Sequence, residues 1–373
     1  GTVKGDLDAE RNAGIEAQDG RQVTVDGRAR FKGDATISCD FECGSLKAEK
    51  GTLRIAGDLV VHGDINVENT LIVDGSITAG AIEAGGKVLA KSVKCGTVTV
   101  GRAIEISDTL EAESARVGGS IIAAKARLTD LSAGGRAEIG GGTILGRIKV
   151  GGIFISKSKL EFGSISVGGR VELGAAGGSK IEIGGRLAVR GDMTCKETKV
   201  GGIIEIDGNF GGEVVEVGGK LRVSGSLTLA GKLVVGGLLE VKDTFMGADM
   251  EVGGQFSGGK AMLTGAARVG GQVETSAGFK AGTIKIGANG TCAGPLVGGK
   301  VELGKRCKVQ AVYGSKIVAG KGVTAGEIVA KDVELHDGAV VERITYTRSL
   351  EMTGDVACKS PPEKVASLPA FPL

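Results

Sequence analysis

An apolar residue followed by one or two glycines recurs along this chain at nearly constant spacing, and that beat restricts the fold more than any other feature. Glycine pairs stand at Gly118-Gly119, Gly134-Gly135, Gly151-Gly152, Gly168-Gly169, Gly184-Gly185, Gly201-Gly202, Gly218-Gly219, Gly236-Gly237, Gly253-Gly254 and Gly270-Gly271, at steps of 16, 17 or 18 residues. A fixed period of this length means stacked copies of one small unit. Between the pairs the pattern alternates: Leu221, Val223, Leu227 and Leu229 are interleaved with Arg222, Ser224 and Thr228, and Ile204 and Ile206 bracket Glu205. Period-two alternation punctuated by turn residues reads as short β-strands.

Aligning the repeats that start at Val200, Val217, Val235, Val252 and Val269 places Ile204, Leu221, Leu239, Phe256 and Val273 in one column. Ile206, Val223, Val241, Gly258 and Thr275 fall in a second. The position before each new repeat, Lys199, Glu216, Val234, Glu251, Arg268 and Lys285, forms an outward column of mixed charge. Seventeen residues suit three faces of five or six residues, with a glycine at a corner that needs either positive φ or close backbone approach. The expected fold is therefore all-β: a single-stranded, three-sided β-helix (β-solenoid) with about 17 residues per coil. Weaker copies of the beat pass through Gly51, Gly85-Gly86 and Gly101 upstream and Gly287, Gly304 and Gly320 downstream. At ~4.8 Å per rung, about 22 coils would make a rod on the order of 100 Å. The expected organisation is a first coil or partial cap over 1–20, repeated coils over 21–358 and a Pro-bearing tail over 359–373.

Composition matters here for the core. Aromatic residues make up 3% of the chain, with no Trp, while 41% of residues are hydrophobic, so thin aliphatic layers must fill the interior. The 68 glycines lack the three-residue period of collagen, and there are only five prolines. Forty-six basic and 44 acidic residues are interspersed, which leaves no electrostatic footprint for nucleic acid. The stretch with Lys300, Lys305, Arg306 and Lys308 reads as a solvated face. Seven scattered cysteines, an odd number, argue against a disulfide framework and for a reducing, cytoplasmic setting. The chain opens on Gly1 rather than Met, so an exported form with a removed leader stays open.

Catalytic constellations are sparse. His62 and His336 are the only histidines, too few for a three-histidine metal site, and no Gly-Lys pair is followed by Ser or Thr as a phosphate-binding loop requires. Glu172, Glu182, Glu205 and Glu240 read as solvated ladder carboxylates rather than a hydrolytic pair. The expectation is a non-enzyme without cofactor, metal or nucleotide. Hexapeptide acyltransferases share the β-helical architecture but carry their apolar-glycine signal every sixth residue, so that similarity is architectural only.

The stretches Leu59-Val60-Val61-His62-Gly63-Asp64-Ile65, Ile72-Val73-Asp74-Gly75-Ser76-Ile77 and Ile206-Asp207-Gly208-Asn209-Phe210-Gly211-Gly212-Glu213-Val214 carry an apolar-x-Gly-x-apolar, Gly-Asp/Glu-Ile grammar. This resembles the bactofilins, polymer-forming cytoskeletal proteins, and the tail with Pro361, Pro362, Pro369 and Pro372 is similar to theirs. A bactofilin core is much shorter, so the chain would be an enlarged and divergent relative. The resemblance implies a right-handed β-helix that polymerises end to end without nucleotide.

Neither end carries an amphipathic helix. The terminal rungs therefore read as open edges, which favour association. The expected homopolymer interface comprises Val3, Leu7, Val340, Ile344, Tyr346, Leu350 and Met352, with Asp6 to Arg21 as a competing N-terminal cap. The expected partner is the chain itself, and a membrane or cell-envelope partner is not visible. The alternative role is a monomeric or exported rod that binds carbohydrate or another surface.

Overall fold

A computed structural model of the chain describes residues 1–17 and 21–372; Gln18 to Gly20, within the expected N-terminal cap, and Leu373 lie outside the described residues. The described residues form strands joined by short turns and contain no helix. Every strand pairing with a recorded register is parallel, and residues about 17 positions apart face one another, which defines a β-solenoid. The chain divides into two units, Gly1–Gly184 and Gly185–Leu373.

In the second unit strands of one turn pair with those of the next. Ile203–Ile206 pairs with Lys220–Val223, which pairs with the start of Leu238–Gly247. Phe210 pairs with Leu227 and then Phe245, while Val215 pairs with Leu233 and then Met250. The register reproduces the columns read from the repeat: Ile204, Leu221, Leu239, Phe256 and Val273 are partners in succession. All five are buried. The outward column from Lys199 through Glu216, Val234, Glu251 and Arg268 to Lys285 is likewise continuous. Lys199 and Glu216 meet at 3.0 Å across it. Such exposed pairs add little each, so stability rests on the buried columns and the backbone ladder.

Size alternation keeps the core filled. One inner column reads Phe210, Leu227, Phe245, Ala261, Phe279, and Ala261 leaves room for the rings above and below it. Phe256 and Phe279 meet edge to face, with ring centroids 5.6 Å apart. In the first unit the column equivalent to that of Ile204 runs Ile104, Ile121, Ala137, Phe154, Val171, also buried throughout.

The recurring glycines owe their place to close approach and not to backbone sign. None of Gly118, Gly134, Gly151, Gly218, Gly236, Gly253 or Gly270 has positive φ. A Cβ on Gly218 would lie 2.1 Å from the carbonyl oxygen of Gly201 one turn earlier, and one on Gly253 would lie 2.2 Å from that of Gly236. Successive turns thus stack glycine on glycine at a spacing that no side chain fits.

A second column explains the Gly-Asp and Gly-Asn dipeptides. The Asp40 carboxylate accepts the Asp58 backbone N–H at 2.8 Å, and the Asp58 carboxylate accepts that of Ser76 at 2.7 Å. In the second unit Asp192 accepts from Asn209 N–H and Asn209 from Ser226 N–H, at 2.7 and 2.9 Å. The preceding glycine makes room for the oxygen: a Cβ on Gly208 would sit 2.5 Å from Asp192 Oδ1. Each short polar side chain thereby satisfies a corner N–H of the next turn.

Candidate assembly surfaces

Val3 and Leu7 belong to the first turn of the first unit, in the strands Thr2–Val3 and Leu7–Ala9. They pair with Val25 and Ala29, both buried, yet are themselves only half-buried because one edge of each strand has no partner among the described residues. Charged contacts fix this turn to the next. Asp6 accepts the Arg28 backbone N–H at 2.7 Å, Lys4 meets Asp26 at 2.9 Å, and Lys32 meets Glu10 at 2.6 Å.

The other five expected interface residues lie on the strand Val340–Met352 of the second unit. Its inner edge pairs with Thr324–Leu335, with a register shift between Ala330 and Asp332. Ile344 is fully buried beside Ile328, so it belongs to the core rather than to a surface. Tyr346 and Leu350 are half-buried, and Val340 and Met352 are exposed. The structure therefore brings four of the five to the surface of one strand.

The expectation of a bare outer edge needs correction. Ala357 and Cys358 pair with Val340 and Val341, and Glu363 and Lys364 pair with Thr345 and Tyr346. Lys359 N–H donates to Val341 O and Val365 N–H to Tyr346 O. The chain thus winds on for part of a further turn, which includes the start of the Pro-bearing tail, and closes half of the edge. Pro361 and Pro362 fall between the two pairings, where the missing N–H removes no ladder bond. Ser349 to Met352, paired with Asp332 to Leu335 on the inner side, has no strand partner on the outer side among the described residues.

Phe371 anchors the tail against Tyr313, with ring centroids 5.8 Å apart. Tyr313 donates its hydroxyl to Glu327 at 2.5 Å. Burial first, then that carboxylate, pushes the phenol up to about 12. Arg343 lies 3.6 Å from Glu327 on the following rung. Near the open segment, Arg348 and Ser349 both bond Asp332, Arg348 Nε at 2.6 Å and Ser349 Oγ at 2.7 Å, and hold its carboxyl below the usual range.

Reasoning from the repeat missed Tyr313, Phe371 and the tail strands. A signal existed: Leu296-Val297 and Ile328-Val329-Ala330 break the apolar-polar alternation. Val297, Tyr313 and Val329 form one column outside the core, and Val297 and Val329 are only 4% and 3% exposed. Outward apolar residues at consecutive rungs mark a covered face.

Among the described residues no helix is long and apolar enough to cross a membrane, and no group of three or more His, Cys, Asp or Glu could hold a metal ion. No protein-family model, curated protein or solved structure matches this chain.

Proposed function

We propose that this chain is a non-enzymatic structural protein whose copies join end to end through their terminal turns, without nucleotide, as a divergent bactofilin-like filament subunit of the cytoplasm. Three faces per turn and right-handed winding belong to the same reading. The observation that carries it is the open outer edge at Ser349 to Met352, which includes the half-buried Leu350 and exposed Met352. Unpaired strand edges with apolar side chains are templates for further pairing. A parallel ladder is extended by another parallel strand, and the first turn, with Val3 and Leu7, offers strands of that kind. The preferred partner is therefore a second copy. In this reading the tail moderates growth by occupying the neighbouring half of the edge.

Sedimentation velocity and negative-stain microscopy of the purified chain test the proposal. Long particles that ignore ATP and GTP are expected. Leu350→Lys with Met352→Lys should give short, β-rich particles, because the added charges occupy the contact and leave the core, including Ile344, untouched. A protein that stays monomeric at high concentration, or a double variant that still forms long filaments, would overturn the reading and favour the monomeric surface-binding alternative.

A further inference from the structure

Leu145 lies at one of the bulges that recur along the ladder of the first unit. Register shifts fall between Leu128 and Leu131 and between Ile144 and Arg147, so the stretch around Leu145 and Gly146 carries one residue more than the strand on either side. Leu145 stands 70% exposed, the most exposed large apolar side chain among the described residues. Beside it the outer surface is hollowed into a groove of about 610 Å³, with Arg116, Arg147 and Lys149 on its walls, Ser114 and Ser132 between them, and Asp130 at one side.

Several cations of the turns that follow are matched by carboxylates: Arg136 and Lys157 both reach Glu138 at 2.6 Å, Lys159 reaches Glu161 at 3.1 Å, and Arg170 reaches Glu172 at 2.7 Å. Arg116, Arg147 and Lys149 are exposed and have no ion-pair partner among the described residues. The one carboxylate present, Asp130, accepts the Arg147 backbone N–H at 2.7 Å. The Ser114 hydroxyl is buried in the groove wall without a hydrogen-bond partner. A buried hydroxyl left unpaired is costly and points to a missing partner.

Register fixes the spacing of the cations. Arg116, Ser132 and Lys149 are successive partners in one column, which sets Arg116 and Lys149 two rungs, roughly 9 to 10 Å, apart. Arg147 lies two residues before Lys149 on the same strand, roughly 7 Å away. The three therefore spread positive charge across two rungs, which suits an extended molecule with repeated negative groups. Hydroxyls between the cations and the apolar Leu145 at the rim match the polar edge and apolar face of a sugar ring. None of the groove-lining residues is aromatic, so there is no platform on which nucleic-acid bases could stack.

We propose that this groove binds an acidic oligosaccharide, with Arg116, Arg147 and Lys149 engaging its carboxylate or sulfate groups and Leu145 covering one sugar face. The site lies on the side of the ladder and is independent of end-to-end assembly. Isothermal titration of the full chain with a hexauronate and with a heparin-derived hexasaccharide separates the carboxylate source from the sulfate source, and a neutral glucose hexamer and a single-stranded oligonucleotide serve as comparisons. One acidic sugar should bind, the neutral hexamer should not, and affinity should fall as salt rises. Arg116→Ala and Arg147→Ala should each weaken binding about tenfold, as expected for loss of a charge-assisted hydrogen bond, while Lys305→Ala, outside the groove, should change nothing. Failure of both acidic sugars to bind, binding indifferent to the arginine changes, or tighter binding of the oligonucleotide would overturn the proposal. Circular dichroism of each variant verifies that these exposed substitutions leave the β-fold intact.

Discussion

Replacing Gly218 by alanine separates two explanations of the glycine column by the sign of the effect. If corner glycines served backbone freedom alone, alanine at a residue without positive φ would restrict the unfolded chain and stabilise the protein by about 0.4 to 1 kcal/mol. The structure argues the reverse. The new Cβ would sit 2.1 Å from Gly201 O, against an ordinary contact of 3.4 Å or more. Relieving that overlap requires the two turns to separate locally by roughly 1 Å, which costs about 1 to 3 kcal/mol of packing strain. The same movement stretches the bonds from Gly218 N–H to Val200 O and from Gly219 N–H to Gly202 O, both 3.0 Å. Weakening the two adds about 1 kcal/mol. The net expectation is a loss of about 2 to 4 kcal/mol. For a unit of about 190 residues, with an unfolding entropy near 2.1 cal/mol/K per residue, that corresponds to a fall in Tm of roughly 5 to 10 °C. Gly211→Ala is the matched comparison: a Cβ there meets only Thr194 Oγ1 at 3.9 Å, so its Tm should be unchanged or slightly raised. Thermal unfolding followed at the β-sheet circular dichroism band reads both. If Gly218→Ala melted at or above the unmodified protein, close approach would fail as the explanation of the repeat.

Other outcomes follow from single sites. Asn209→Ala removes the acceptor for Ser226 N–H and should cost on the order of 1 kcal/mol, whereas Asn209→Asp, which restores the arrangement seen at Asp192, should melt close to the unmodified protein. Tyrosinate absorbance should show a component titrating at about 12 from Tyr313. Because the folded phenol is raised, the stability it contributes is fully present below its unfolded value near 10 and is lost as pH climbs through about 12. Phe371→Ala should move that component downward by admitting water to the ring, and an unmoved titration would disconnect the tail from Tyr313. Burial pushes the Cys43 and Cys292 thiols up to about 12. Mass spectrometry after alkylation of the native protein at neutral pH should therefore find both unmodified, with reaction appearing only in denaturant.

The sequence alone determined the repeat, its seventeen-residue step and the identity of the stacked columns. These are local properties: alternation selects strands, and a constant step forces like residues into register, which is why Ile204, Leu221, Leu239, Phe256 and Val273 could be paired by counting. It also held the Gly-Asp and Gly-Asn dipeptides, whose purpose emerged only when Asp192 and Asn209 were seen to accept N–H groups a full turn ahead. Tertiary structure alone decided why the corner glycines are glycines, since a clash with Gly201 O depends on the distance between turns and leaves no trace in the φ of Gly218. It likewise decided the state of the last strand. The two short pairings that follow Val340–Met352 keep the step of the repeat, but the seating of Phe371 on Tyr313, nearly sixty residues earlier, is a long-range contact without a periodic signature. The groove beside Leu145 arises the same way. Arg116, Ser132 and Lys149 meet only through the pairing of successive turns, and which side chains share a concavity is decided in space.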